Sequence, residues 1–68
     1  MFKLTENEFT KAHALYQKID QKTISDNPVS YTIFISCVNA AKRGCGANYT
    51  RYQFKQSMTI LERAIKSA

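Results

Sequence analysis

The chain has 68 residues, which bounds it to one domain, residues 1–68, able to bury only about 60% of its unfolded surface. Two cysteines and one histidine exclude a disulfide framework and a four-ligand structural zinc site. The net charge is +5, and the most apolar run, Tyr31 to Val38, is too short to cross a bilayer, which excludes a membrane-spanning class.

The first predicted helix runs from about Glu6 to Gln21. It opens on a helix-start signature, Leu4-Thr5-Glu6-Asn7-Glu8-Phe9. Thr5 can cap the first turn, Glu8 can bond back to the cap, and Leu4 can pack on Phe9, which is a capping box with a hydrophobic staple. Phe9, Ala12, Leu15, Tyr16 and Ile19 follow 3–4 spacing and form one apolar stripe. No charged n-region and apolar h-region precede this helix, so a signal peptide is not expected and the localisation reads as cytoplasmic, with reduced cysteines. Lys22 to Asp26 carries no helical stripe and reads as a connector.

The second segment carries two signals. Val29, Tyr31, Ile33, Ile35 and Cys37 alternate with other residues as a strand would. Asn27-Pro28 reads as an N-cap followed by proline at the first helical position, and Gly44 after Lys42-Arg43 reads as a stop. These marks bracket sixteen residues, 28–43, long for a strand and ordinary for a helix, so a helix is expected. Apolar residues then cover most of its circumference, leaving Thr32, Ser36, Asn39 and Arg43 as a polar strip. Such a helix is central to the fold, or also offers a self-association face, for which Tyr31, Ile35 and Val38 are the candidates.

Asn27 to Thr32, running on to Lys42-Arg43-Gly44, resembles the first helix of a pentatricopeptide-type repeat over a quarter of the chain. The following loop is longer than that pattern allows and a solenoid needs about three repeats. No RNA-reading residue is carried over.

The third helix is predicted from Arg51 to about Lys66. It repeats the start signature as Tyr49-Thr50-Arg51-Tyr52-Gln53-Phe54, and Phe54, Ser57, Met58, Leu61, Ala64 and Ile65 form its core face. The expected fold is all-α: a compact three-helix bundle with a central, mostly apolar second helix.

Charge then points to function. Residues 1–26 balance four lysines against four acids, whereas residues 40–68 hold Lys42, Arg43, Arg51, Lys55, Arg63 and Lys66 against Glu62 alone. Arg51, Lys55 and Arg63 share an i,i+4 row through Thr59, Lys66 lies close by, and Tyr52 faces the same side. These residues, with Lys42 and Arg43, are the candidate partner-binding set; the bland alternative is a solvated face with Glu62 pairing Lys66. The seven-residue loop Gly44 to Thr50 is too long for a helix-turn-helix turn of about 3–4 residues.

No phosphate loop, catalytic carboxylate pair or metal cluster is legible, and no cofactor is expected. Cys37 reads as a small buried hydrophobe; Cys45 lies in the loop between two basic clusters but has no identifiable base, and His13 reads as a boundary residue. The expected function is non-enzymatic: a small accessory or regulatory protein docking on a larger protein or nucleoprotein complex through the basic C-terminal helix. Direct DNA or RNA binding through the same face and a self-assembling helical unit, such as a homodimer, are the alternatives.

Overall fold

A computed structural model describes residues 2–67. Four helices follow one another: α1 (Glu6–Lys18), α2 (Gln21–Asp26), α3 (Pro28–Lys42) and α4 (Arg51–Lys66).

Both capping boxes form. Thr5 Oγ1 accepts from the Glu8 N–H at 3.1 Å, and Glu8 Oε1 accepts from the Thr5 N–H at 2.8 Å. Thr50 and Gln53 repeat the exchange at 3.1 and 3.0 Å. Each box satisfies two backbone donors that a helix start leaves open. The apolar partners on either side of the caps (Leu4 and Phe9, Tyr49 and Phe54) all pack in or against the core.

The expected connector at 22–26 is a helix, so the three-helix reading is corrected to four. Asp20 makes it: its Oδ1 accepts from the Thr23 N–H at 2.8 Å, ending the first helix at Lys18 and starting a second. That bond, first of all, holds the Asp20 carboxyl below its ordinary range. Asn27 closes α2, its N–H bonding the Thr23 and Ile24 carbonyls and its side-chain amide donating to the Thr23 carbonyl. Asn27 therefore occupies the N-cap position of α3 without a side-chain capping bond. Pro28 at the first position supplies the start, because it lacks an N–H and its φ is already helical.

The alternation over 29–37 yields to the helix. Phe34, Cys37 and Val38 are fully buried, at 3–4 spacing. A Schellman motif ends α3: Cys45 N–H donates to the Ala40 carbonyl at 2.8 Å and Gly44 N–H to Ala41 at 3.1 Å. It requires a left-handed residue, and Gly44 has φ +73°.

The core joins Ala12 and Leu15 of α1, Phe34, Cys37 and Val38 of α3, and Phe54 and Leu61 of α4. The Phe34 and Phe54 rings are nearly parallel at 6.4 Å. Ser57 is buried, its hydroxyl donating to the Phe54 carbonyl at 2.7 Å. The α3–α4 pair is the most extensive, and each of these two helices touches all the others, so they share the centre. The radius of gyration is 11.1 Å, against about 10.9 Å for a compact chain of this length.

The burial of α3 revises the self-association set. Val38 lies in the core and is unavailable, Tyr31 packs against the core, and Ile35 is half-buried. The exposed apolar residue of α3 is Val29, beside Ile33 and Tyr49. Among the described residues no helix is long and apolar enough to cross a membrane.

Candidate functional site

The core face of α4 fixes what its opposite face presents. Phe54, Ser57 and Leu61 turn inward, so the rows Tyr52-Gln56-Ile60 and Lys55-Thr59-Arg63 turn outward. These six residues line one shallow depression of about 390 Å³. Tyr52 is 73% exposed and Ile60 37%. Thr59 is occupied locally, its hydroxyl donating to the Lys55 carbonyl at 3.0 Å. The face carries two cations, two exposed apolar groups and no carboxylate.

Of the seven expected partner-binding residues, Tyr52, Lys55 and Arg63 are brought together here. Arg51 is directed elsewhere: its Nε lies 3.0 Å from Glu8 Oε2, one terminal nitrogen donates to the Lys3 carbonyl at 3.1 Å, and the guanidinium lies 4.9 Å from the Phe2 ring centre. Lys42 is drawn to α1, its Nζ lying 5.6 Å from the Tyr16 ring centre. Arg43 is the exposed C-cap of α3. Lys66 lines a groove between α1 and α4 with Lys11, Lys18 and Glu62. The ion pairs among the described residues are Lys22–Asp26 and Arg51–Glu8, so the Glu62–Lys66 pair of the solvated-face alternative does not form.

The Glu8 carboxyl feels both its cap and Arg51. Burial pushes its pKa up, but hydrogen bonds from the Thr5 N–H and the Arg51 guanidinium outweigh this, and the net direction is down.

Gln56 and Ile60 belong to this face and are absent from the set expected from sequence. Their signal was present: both lie on the i,i+4 row that begins at Tyr52.

The remaining reactive groups stand apart. Cys37 is buried, and desolvation raises its thiol pKa. Cys45 is exposed, its Sγ 3.8 Å from the Arg43 carbonyl. His13 bonds Gln17 at 3.3 Å and stacks on Phe9 at 6.2 Å. Among the described residues no group of three His, Cys, Asp or Glu side chains could hold a metal ion.

No protein-family model, curated protein or solved structure matches this chain.

Proposed function

We propose that the chain is a non-enzymatic accessory or regulatory protein that acts in the cytoplasm by occupying a surface of a larger protein or nucleoprotein complex. The contact is the outer face of α4. One observation carries this reading: Tyr52 and Ile60 are exposed alongside Lys55 and Arg63 in one depression whose lining has no carboxylate. Tyrosine and arginine are the residues most often found at binding hot spots, and the charge favours an acidic counterpart.

The test combines Tyr52→Ala with Lys55→Glu and Arg63→Glu. All three side chains are exposed, so the far-ultraviolet circular dichroism should match the wild type. Native-complex isolation from cells should recover the wild-type chain with a larger assembly and the triple variant alone. Equal recovery of both would remove the face from consideration. A titration with labelled duplex DNA at two salt concentrations identifies direct nucleic-acid binding, whose affinity falls with a slope of about −0.9 per phosphate neutralised.

A further inference from the structure

The geometry points to a second docking surface, the groove between α1 and α4, whose occupant is an acidic amphipathic helix of a partner protein. This groove is separate from the outer face of α4, shares only the rim residues Lys55 and Thr59 with it, and does not depend on its role. α1 and α4 meet less extensively than α3 and α4 do. Two depressions of about 320 and 300 Å³ open along the seam between them, and both are bordered by Lys11, Met58 and Glu62. Sharing these three residues, they abut along the seam, and together they are the groove.

Its floor is apolar: Leu15 from α1, and Met58 and Ile65 from α4. Met58 and Ile65 are only half-buried, so the floor is open to contact. A flexible, polarisable methionine at the centre adapts to varied apolar side chains. Lysines flank the floor on both sides, Lys11 and Lys18 on α1, Lys55 and Lys66 on α4. None is in an ion pair among the described residues. Glu8, at one end, is already engaged by Arg51, so Glu62 is the acid left to offset four cations.

This pattern selects among occupants. A helix laid in such a groove offers apolar residues at i, i+3, i+4 and i+7 to the floor and acids to the two rims. The α4 rim from Lys55 to Lys66 spans twelve residues, about 16 Å from first to last or three helical turns, so three turns of a partner are covered. Nucleic acid would satisfy the lysines and leave the apolar floor unused. A second copy of this chain, itself at +5, would bring like charge to the rims.

The experiment titrates the isotopically labelled chain with a helical peptide carrying leucines at 3–4 spacing and glutamates elsewhere, read by amide NMR. We expect saturable shifts centred on Lys11, Leu15, Met58 and Ile65. The Lys11→Glu, Lys18→Gln double variant alters only exposed groups and should weaken binding at least tenfold, whereas Tyr52→Ala with Arg63→Glu should leave it unchanged. The inference fails if the peptide does not saturate at millimolar concentration. It also fails if a scrambled peptide of equal charge binds as well, if a single-stranded oligonucleotide gives the same shifts more tightly, or if the chain alone shows these shifts on dimerising. Equal recovery of the wild type and the outer-face variant from cells, with peptide binding intact, would overturn the proposed function and not this inference.

Discussion

Glu8 and Arg51 meet at 3.0 Å across 43 residues of chain, and each belongs to a helix start: Glu8 closes the capping box of α1 and Arg51 is the first residue of α4. One carboxylate therefore accepts from the Thr5 N–H within its own helix and from the guanidinium of another. The Glu8 side chain is 17% exposed and Arg51 46%, so solvent screens part of the attraction. Glu8→Gln and Arg51→Met should each destabilise the protein by about 1 kcal/mol, with a coupling of about 0.5 kcal/mol in a double-mutant cycle. Chemical denaturation of the four species measures this, and full additivity would show that the pair contributes nothing.

The same carboxylate sets an acid limit. Its folded pKa is depressed, so its stabilisation is fully present above the unfolded value, near 4.3, and is lost as pH falls through the folded value. Asp20, also depressed, acts in the same sense from about 3.9 downward. Thermal midpoints should fall between about pH 5 and pH 3, and the fall should be shallower in Glu8→Gln. An unchanged slope in that variant would locate the acid sensitivity elsewhere.

Phe34 is fully buried beside Phe54 at the α3–α4 contact. Truncating a buried phenylalanine to alanine costs about 3–5 kcal/mol. A domain of 68 residues holds only about 3–10 kcal/mol in total. Phe34→Ala should be largely unfolded at 37 °C, whereas Phe34→Leu should fold with a lowered midpoint. A cooperative native-like melt for Phe34→Ala would mean that the α3–α4 contact is not the main source of stability.

Gly44 has open space where a Cβ would project, so Gly44→Ala meets no clash and its cost is conformational. A left-handed alanine costs about 1–2 kcal/mol, roughly 4–8 °C per kcal/mol in a domain this small. Asparagine tolerates this conformation better, so Gly44→Asn should lie between alanine and wild type. Equal midpoints for all three would contradict the Schellman ending of α3.

The two thiols should separate in time. Cys45 is exposed and should react with Ellman's reagent at once, whereas Cys37 is buried with its thiol pKa raised and should react only as the chain unfolds. Two fast equivalents in the native protein would place Cys37 outside the core.

What was legible in the sequence was local. Both capping boxes, Pro28 at a helix start and Gly44 past a helix end are decided within a few residues of chain, and the core face of α4 follows from spacing alone. The α2 helix was not legible because six residues are too few to display a 3.6-residue stripe, and Asp20 reads equally as the end of one helix or the cap of the next. The candidate site was half legible. The i,i+4 row of cations was correct as helix geometry, but the diversion of Arg51 depends on Glu8, 43 positions away. The diversion of Lys42 toward Tyr16 is equally non-local.

The α3–α4 loop has one more consequence. Ala47, at its centre, is fully buried, and its N–H donates to the Phe2 carbonyl at 2.8 Å. The loop is thus pinned midway, which opposes a swing of α4 as a lever about it. A face presented on such a mount has little conformational entropy left to lose on contact. Its association with a partner should proceed in one kinetic step, with an observed rate that rises linearly with partner concentration and does not level off.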